Sequence, residues 1–368
     1  MRVLMLSKAL VHGVYQRKCE EIAALGVDLT VAVPHTWREP RVGEQRLERQ
    51  FTSGYRLEAL PILFNGQHHA HVYPTLGRLM REVRPEVVHI DEEAFNPAAA
   101  HAMWLAVRAG ARSCFFNWAN IARSYPPPFS LFERYVYRHA AHAICGNQEA
   151  AAIVRAHGYG GPLSVVPQFG VDPALFALAP IPPAGAPFVV GYLGRLVPEK
   201  GVVDLVEALP LTPPHVRLRI IGDGPERAAL LQRADDLGVG TRVDLRPLLP
   251  SAAVPGALLA LSALALPSRT TPGWKEQFGR VLVEAMSCGV PVIGSSSGEI
   301  PHVVADAGLI VAEGDVLAWG AAITRLAHDA RLCADLRVRG RQRALDHYTM
   351  AAVARATVDV YRAMVGRA

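Results

Sequence analysis

The sequence predicts an α/β protein made of two doubly wound, mostly parallel-sheet domains. Three observations lead to this fold class: short β-rich segments alternate with helix-like segments, a proline-rich segment interrupts the alternation, and the alternation then restarts. Alternation of this kind is typical of parallel sheets with helices on both faces. A chain of 368 residues is long enough to form two such domains.

The first domain is predicted over residues 1–176. Buried strands are expected at residues 3–6, 29–33, 87–90, 113–116, 143–145 and 164–166, and helices at residues 14–25, 72–82 and 97–109. Residues 177–187, with the sequence ALAPIPPAGAP, contain four prolines among small residues. No regular element is expected to cross this segment, so it is interpreted as a linker.

The second domain is predicted over residues 188–349. Strands are expected at residues 188–193, 216–221, 243–245, 263–266, 291–294 and 309–311, and helices at residues 201–209, 226–237, 280–288 and, in succession, from 316 to 365. Open sheets bind ligands outside the carboxyl ends of their strands. Two such domains facing each other would therefore place a cleft between them.

Composition narrows the class of protein. Hydrophobic residues make up 51% and charged residues 19%, which indicates a globular chain, and the net charge of +5 suits an anionic ligand or an acidic membrane surface. The basic residues are scattered, and the sequence has no run of five or six of them that would indicate nucleic-acid binding. The five cysteines form no CxxC pair, which predicts buried thiols and no metal site. No signal peptide or membrane-spanning segment is recognisable, which predicts a cytoplasmic protein.

The first candidate site follows the first strand of the second domain. Arg195 and Lys200 lie in the loop between this strand and a helix that is expected to begin near Gly201. A helix N-terminus offers N–H groups to an anion, and two cations would add charge-assisted hydrogen bonds to a phosphate. The alternative is that both are loop residues that pair with surface carboxylates.

The second candidate is the segment from Glu276 to the helix that carries Glu284. Glu284 interrupts the apolar face of that helix, and a buried carboxylate needs a partner, for which a ribose diol is suitable. Glu276 would accept hydrogen bonds from sugar hydroxyls, and Gly279 would let backbone N–H groups approach phosphates. The alternative partner of Glu284 is Arg280, one helical turn earlier.

Four segments occur in a fixed order: GRLVPEKG at 194–201, GDGP at 222–225, EQFGRVLVEA at 276–285 and GVPVI at 289–293. Their order and spacing resemble family 4 of the retaining glycosyltransferases (glycosyltransferase group 1), which has the GT-B fold. The resemblance covers almost all of the second domain. It extends weakly to PQFGVD at 167–172, and the last helix, within residues 350–368, resembles the one that packs back on the first domain in such enzymes.

The resemblance implies a role for each site residue. Arg195 and Lys200 would hold the donor diphosphate and stabilise the leaving group, Glu276 would contact the hydroxyls of the donor sugar, and Glu284 would contact the ribose. Further donor-binding residues would be Gly13, which is a remnant of a glycine loop, Gly194, Phe278, Gly279 and Arg280. The donor would be a UDP- or GDP-linked hexose, and no metal or other cofactor would be required.

The acceptor side is expected in the first domain. Asp91-Glu92-Glu93 follows a strand, and Glu92 is the candidate there for binding acceptor hydroxyls; the alternative is a solvated loop. Many family members carry a histidine after another strand, where this chain has FFNWAN at 115–120. Asn117 or Asn120 would take its polar role, but neither is a general base, which fits a mechanism in which a donor phosphate oxygen accepts the proton.

The acceptor is expected to be a saccharide, a lipid-linked molecule or a small molecule, without nucleic acid as a partner. An aromatic and basic helix after Pro126–Pro128 suggests peripheral contact with the inner face of a membrane, with core packing as the alternative. Three other functions stay open: a GT-B nucleotide-sugar epimerase, a dinucleotide-dependent oxidoreductase, which would lack the GxGxxG motif, and a non-catalytic sugar-nucleotide binder.

Overall fold

The computed structural model describes residues 1–39, 43–180 and 185–366. The chain forms two compact units: unit 1 comprises Met1–Gly170 and Met350–Ala368, and unit 2 comprises Val171–Thr349. Each unit is built on its own parallel sheet, which confirms the predicted class of two parallel-sheet α/β domains. Of the predicted linker at 177–187, residues 181–184 lie outside the described residues.

Unit 1 contains one large sheet and one small hairpin. Its strands are β1 (Arg2–Leu6), β2 (Asp28–Pro34), β3 (Thr36–Glu39), β4 (Gly43–Arg46), β5 (Arg56–Leu60), β6 (Val87–Ile90), β7 (Arg112–Asn117), β8 (His142–Cys145) and β9 (Leu163–Val165). The large sheet has the order β5-β2-β1-β6-β7-β8-β9 and pairs in parallel. Strands β3 and β4 pair with each other in antiparallel orientation.

Two helical layers cover the large sheet of unit 1. The helices are α1 (Arg17–Ala24), α2 (Leu76–Val83), α3 (Pro97–Arg108), α4 (Phe129–His139) and α5 (Gln148–Ala156). Helices α2 to α5 bury apolar side chains against one face of the sheet, and α1 packs on the other. Helix α2 begins at Leu76 instead of the predicted residue 72 because Pro74 disfavours helical geometry in the residue before it.

Unit 2 has a single sheet and seven helices within the described residues. The strands are β10 (Phe188–Leu193), β11 (Val216–Ile221), β12 (Val243–Arg246), β13 (Ala263–Leu266), β14 (Val292–Ser295) and β15 (Leu309–Val311). The helices are α6 (Val202–Ala208), α7 (Arg227–Asp236), α8 (Val254–Leu259), α9 (Arg280–Ser287), α10 (Ile300–Val304), α11 (Val316–His328) and α12 (Ala330–His347).

The strand order of unit 2 is β12-β11-β10-β13-β14-β15, with parallel pairing throughout. The order reverses between β10 and β13, whose connections run to opposite sides. Loops that leave the carboxyl ends of two such strands diverge and leave a crevice between them. The loops that carry Lys200 and Glu276 follow these two strands.

The last helix, α13 (Met350–Met364), belongs to unit 1 and packs beside α1. Its Tyr361 is fully buried, and the hydroxyl lies 2.6 Å from Nδ1 of His89 on β6. Burial is the main cause that lowers the pKa of His89 to about 4, so the imidazole is neutral at pH 7. No helix in the described ranges combines the length and apolarity that crossing a bilayer requires.

Candidate active site

A cavity of about 420 Å³ lies at the point where the strand order of unit 2 reverses. Its size falls within the range of ligand pockets. The wall consists of residues from the carboxyl ends of the central strands, from the loops that follow them and from the first turns of α8 and α9: Tyr192, Leu193, Gly194, Lys200, Ile221, Leu248, Leu249, Ser251, Val254, Leu266, Glu276, Gly279, Arg280, Val281 and Glu284.

Backbone hydrogen bonds fix the start of the loop after β10. Gly194 N–H donates to the carbonyl of Ile221 at 3.0 Å, and Leu196 N–H donates to that of Asp223 at 2.9 Å. A Cβ on Gly222 would lie 1.9 Å from the carbonyl oxygen of Gly194, so only glycine permits this approach. The GDGP segment thus supports the loop that ends in Lys200.

The loop after β13 is tied to its neighbours in the same way. Arg269 N–H donates to the carbonyl of Glu199 at 2.8 Å, which joins the two loops that flank the cavity. The Ser295 hydroxyl donates to the carbonyl of Ser268 at 2.5 Å. These bonds hold the segment before Glu276 in place.

Lys200 and Glu276 meet at the cavity wall. Lys200 Nζ donates to Oε2 of Glu276 at 2.5 Å, and the Ser268 hydroxyl donates to the same oxygen at 2.8 Å. The ammonium also lies 4.7 Å from the centre of the Trp274 ring. Only 15% of the Lys200 side chain and 11% of the Glu276 side chain are exposed, so both charges are held in a largely desolvated pair.

Helix α9 begins at the cavity. Gly279, the residue before it, has φ = 75°, a left-handed conformation that disfavours any side chain. A Cβ at this position would also lie 3.0 Å from Leu266 and Leu282. With Gly279, Arg280 and Val281 on the wall, the first turn of α9 and its N–H groups belong to the cavity.

Glu284 lies one turn further along α9. Its Oε1 is 3.1 Å from Nε of Arg280, so the alternative ion pair recognised in the sequence is present. Burial raises the pKa of the Glu284 carboxyl, and Arg280 opposes that rise in part. More than half of the Arg280 side chain is exposed, so this ion pair is partly open to solvent.

Two predicted donor residues of unit 2 do not line the described cavity. Arg195 lies half-exposed with its guanidinium 4.0 Å from Glu199. Phe278 is buried and packs edge-on against Tyr348, with ring centres 5.6 Å apart, which gives it a packing contact inside unit 2. Their predicted roles in donor binding stay predictions.

Gly13 lies in unit 1, where it begins a 3-10 turn, and the helix predicted from residue 14 begins only at Arg17. Its N–H donates to Oε2 of Glu48 at 2.7 Å. A Cβ on Gly13 would lie 2.7 Å from the side chain of Gln50. Glycine is therefore required here by the packing of the loop that carries Glu48 and Gln50.

The carboxyl edge of the unit 1 sheet holds a buried polar network around Asp91. The Ser7 hydroxyl donates to Oδ2 of Asp91 at 2.5 Å, and the Gln168 amide donates to Oδ1 and Oδ2 at 3.0 and 3.1 Å. The carbonyl of Gln168 in turn accepts from Lys18 Nζ at 2.8 Å. The residues PQFGVD thus include a structural partner of Asp91 that sequence reasoning missed.

Glu92 is equally enclosed. It is paired with Lys8, and it is hydrogen-bonded to His71 at 3.2 Å and to the amide of Asn96 at 3.2 Å. Burial alone would raise the pKa of the Glu92 carboxyl, but Lys8 and His71 lower it to about 2. The solvated-loop alternative is wrong, because both Asp91 and Glu92 are buried; the acceptor role of Glu92 stays a prediction.

The third acid of this segment supports the turn after β7. Glu93 accepts a hydrogen bond from the N–H of Ala119 at 3.0 Å, and burial raises the pKa of its carboxyl. Asn117 donates to the carbonyl of Ala119 at 3.3 Å, and Asn120 donates to Glu149 at 3.2 Å. The two candidate asparagines therefore lie in one turn that rests on a buried carboxyl group.

Among the residues with assigned positions, no cluster of three or more His, Cys, Asp or Glu side chains is arranged to hold a metal ion. All five cysteines are free thiols. Metal independence and a cytoplasmic location stay predictions.

Two family models match the chain and together span most of it. Residues 179–343 match the family described as "Glycosyl transferases group 1", and residues 13–168 match "Glycosyl transferase 4-like domain". The boundary between the two matches lies close to the division between the units.

Curated relatives agree with these families. The chain is 38% identical over 167 residues to a GDP-mannose-dependent α-(1-6)-phosphatidylinositol monomannoside mannosyltransferase of Mycolicibacterium smegmatis, a match that covers 44% of each chain. It is 27% identical over 308 residues to a 2-deoxystreptamine glucosyltransferase of Streptomyces kanamyceticus, which covers 76% of this chain and 77% of the relative. The chain thus spans less than half of the mannosyltransferase. Both relatives are named transferases, and the epimerase alternative has no support from them.

Among solved structures, the chain is similar to Anabaena HepE in complex with UDP. The TM-score is 0.73 at 18% identity, with 99% of this chain and all of the other chain covered. At this identity the likeness concerns the fold, which is GT-B.

Proposed function

The chain belongs to the group 1 glycosyltransferases, and we propose that it moves a hexose from a nucleoside-diphosphate sugar to a hydroxyl acceptor with retention of configuration. One observation carries this proposal. Lys200, Glu276, Glu284 and the first turn of α9 converge on a single cavity at the switch point of the unit 2 sheet. The cavity therefore combines a cation and helix N–H groups for phosphates with carboxylates for sugar hydroxyls.

The diphosphate would lie between Lys200 and the first turn of α9. Helix N–H groups and the positive end of the helix dipole attract phosphate oxygens, and Gly279 brings no side chain into their path. Arg280 and Lys200 would add charge-assisted hydrogen bonds. Arg195 would approach from the loop after β10, where its guanidinium is half-exposed.

The remaining parts of the donor have partners on the same wall. Glu284 would accept hydrogen bonds from the ribose hydroxyls in place of Arg280, and Glu276 would accept them from the hexose. Leu248, Leu249 and Val254 supply apolar surface for the flat face of a base. We propose a UDP- or GDP-linked donor; the mycobacterial relative is named as dependent on GDP-mannose.

Donor binding would exchange partners within the Lys200–Glu276 pair. A diphosphate competes with Glu276 for the ammonium of Lys200. A carboxylate that loses its cation at a largely buried position loses free energy unless new donors replace it. The hydroxyls of the hexose are such donors, so diphosphate and sugar would bind as one unit.

The reaction would then proceed as follows. The bond between the sugar C1 and the phosphate oxygen breaks as the acceptor oxygen forms a bond to C1 on the same face, and the acceptor proton moves to a donor phosphate oxygen. Negative charge develops on the leaving diphosphate, where Lys200 and the N–H groups of α9 stabilise it without reorganisation. Neither Asn117 nor Asn120 takes a proton in this scheme, and no metal is required.

The proposal is tested by transfer assays with UDP- and GDP-hexoses against saccharide, lipid-linked and small-molecule hydroxyl acceptors. Lys200→Ala and Glu276→Ala should each lower kcat/KM at least about 100-fold, because each removes a group that acts on developing charge or on the reacting sugar. Arg233→Ala and Glu207→Ala, which break a surface ion pair in the same unit, serve as matched controls.

The controls should retain activity within about twofold, since exposed ion pairs contribute little. Thermal unfolding of all four variants checks that the fold is intact. Near-normal transfer by both Lys200→Ala and Glu276→Ala would contradict the assignment of the site.

A further inference from the structure

Trp274 contacts the ammonium of Lys200 at the edge of the cavity in unit 2. The Trp274 ring is partly buried, its centre lies 4.7 Å from Lys200 Nζ, and the wall of the described cavity does not include it. The same Nζ is 2.5 Å from Oε2 of Glu276, two residues further along the chain. One ammonium therefore occupies an aromatic face and a carboxylate at the same time.

The loop that carries Trp274 is anchored to the sheet. Thr271 N–H donates to the carbonyl of Trp274 at 2.8 Å, and Trp274 N–H donates to the carbonyl of Thr271 at 3.3 Å, which closes a tight turn. The N–H and the hydroxyl of Thr270 donate to the two carboxylate oxygens of Glu313 at 2.5 and 2.7 Å. Because Glu313 follows β15, the position of the ring does not depend on Lys200 alone.

Two lysines of unit 1 also contact rings, but in closed surroundings. Lys18 is 3% exposed and lies 5.2 Å from the centre of the Phe169 ring. Lys8 lies 5.6 Å from the centre of the Trp37 ring, and Trp37 is 3% exposed. A contact between a lysine and a ring is thus not evidence of a binding site by itself. Lys200 differs because it lines a cavity of ligand size.

An aromatic face beside a carboxylate is a pair of groups suited to a hexose. The carboxylate accepts hydrogen bonds from hydroxyl groups, and the ring packs against the C–H bonds on one face of the pyranose, which buries apolar surface. In the free protein, the ammonium of Lys200 satisfies both groups, as a counter-charge for Glu276 and as a cation over the ring of Trp274. It thereby occupies the place of the sugar.

We propose that Trp274 is the platform on which the donor hexose stacks, which rests on the proposed function because Lys200 must first bind the diphosphate. When the ammonium moves to the diphosphate, it leaves the ring and Glu276 together. The sugar site therefore forms only when a diphosphate is bound. The donor sugar is a neutral hexose, since a hexuronate brings a second negative charge towards Glu276.

The test compares UDP with UDP-glucose, and GDP with GDP-mannose, by calorimetric titration of the unchanged protein and of Trp274→Leu. The nucleoside diphosphate alone should bind the variant about two- to fivefold more tightly, because no cation–π contact has to be broken. The matching nucleotide sugar should bind about two- to fivefold more weakly, because stacking that buries about 50 Å² of apolar surface is lost. A residue that only supports packing would change both dissociation constants in the same direction.

Two further variants serve as controls. Trp274→Phe keeps a smaller ring, so it should change the ratio of the two dissociation constants less than Trp274→Leu does. Trp104→Leu removes a ring that lies 5.0 Å from the guanidinium of Arg108 on unit 1, and it should change each constant less than twofold. Thermal unfolding checks the fold of all variants.

Lysine signals in nuclear magnetic resonance test the departure of Lys200 without a variant. The sequence has only four lysines, Lys8, Lys18, Lys200 and Lys275, so isotope-labelled lysine gives few signals to assign. A ring shifts protons above its face upfield. The ε-methylene protons of Lys200 should therefore resonate upfield in the free protein and lose this shift when UDP or GDP binds, while the signal of buried Lys18 stays unchanged.

The outcomes separate this proposal from the proposed function. If neither pair of ligands binds the unchanged protein, the proposed donor class is wrong, and the platform is wrong with it. If the ligands bind but Trp274→Leu changes both constants in the same direction or leaves them unchanged, only the platform is wrong. An upfield signal of Lys200 that persists after UDP or GDP binds would also overturn it, because the ring would stay covered.

Discussion

Carboxylates follow central strands in both sheets, but unit 1 and unit 2 provide them with partners of different kinds. In unit 1, Asp91 and Glu92 are bonded to side chains that are themselves largely enclosed, such as Ser7 and His71. In unit 2, Glu276 and Glu284 each have a charged partner that lines the cavity, Lys200 and Arg280, although buried Ser268 also donates to Glu276.

The difference shows how one topological position serves two purposes. A fully satisfied buried network stabilises one arrangement, because losing any partner leaves a desolvated charge. A pair that lies at a cavity wall keeps the protein stable and still has an alternative partner when an anion or a hydroxyl arrives. The following predictions test that contrast.

The largest effect is expected from Glu92→Gln in unit 1. The change leaves Lys8 without its buried counter-charge, and we expect the free energy of unfolding to fall by about 3–5 kcal/mol in urea titrations. Glu44→Gln is the control, because Glu44 pairs with Arg38 on the surface at 3.6 Å, and it should change stability by less than about 1 kcal/mol. If both variants lose less than about 1 kcal/mol of unfolding free energy, the network around Glu92 does not stabilise unit 1 as proposed.

Acidification from pH 7 to pH 5 should destabilise unit 1 more than unit 2. His89 has a pKa of about 4 in the folded protein, below its ordinary value of 6.5, so its contribution to stability is present above pH 6.5 and is lost as pH falls towards 4. For a group that is fully buried, this amounts to roughly 3 kcal/mol. The pKa of Glu92, about 2, adds a second loss as pH falls from about 4.5 to 2.

In unit 2, burial raises the pKa values of Asp204, Glu226 and Glu284, so protonation of these groups favours the folded state. Arg246 and Arg219 lower the pKa of Asp244, which contributes in the opposite sense. In unit 1, Glu93, whose pKa burial also raises, likewise favours the folded state when it is protonated and opposes in part the loss from His89. Hydrogen exchange at pH 7 and pH 5, corrected for intrinsic rates, should show lost protection in β6 and α13 and little change in β10 and β13. Equal losses in both units would contradict the prediction, and His89→Gln should reduce the loss in unit 1.

The smallest effect is expected from Glu276→Gln, which compares the binding of a nucleoside diphosphate with that of a nucleotide sugar. In Glu276→Gln the diphosphate no longer competes with a carboxylate for Lys200, so a nucleoside diphosphate alone should bind about two- to fivefold more tightly. The nucleotide sugar should gain less, because an amide is a poorer acceptor than a carboxylate for hydroxyl groups. Calorimetric titration measures the ratio of the two dissociation constants, that of the nucleoside diphosphate and that of the nucleotide sugar, with Glu207→Gln as the control. If Glu276→Gln leaves this ratio equal to that of the unchanged protein, the proposed exchange of partners at Lys200 is wrong.

The second unit was predicted more completely from the sequence than the first. Strands such as Val216–Ile221 and Ala263–Leu266 are short buried runs between clear turns, and the structure has them within a residue of the expected bounds. Strand β5 and the β3–β4 hairpin were missed because their sequences, RLEAL, TWRE and GEQR, mix charged and apolar residues without a buried run. Helix α5 was also missed.

The same distinction applies to the sites. The residues around Lys200 and Glu276 occur in motifs with a characteristic spacing, so they could be assigned together before their geometry was known. The network around Asp91 joins residues that are 84 and 77 positions distant, Ser7 and Gln168, and no local pattern connects them. Long-range partners of buried charges depend on tertiary packing, which periodicity and spacing do not report.

The return of α13 to unit 1 has a consequence for biosynthesis. Unit 2 is a continuous stretch inserted into unit 1, which the chain leaves after Gly170 and rejoins at Met350. On the ribosome, all residues of unit 2 are therefore available before the last helix of unit 1 emerges. Until then, the apolar surface that Val358 and Tyr361 cover lacks its last helix, so the unit that begins first is completed last.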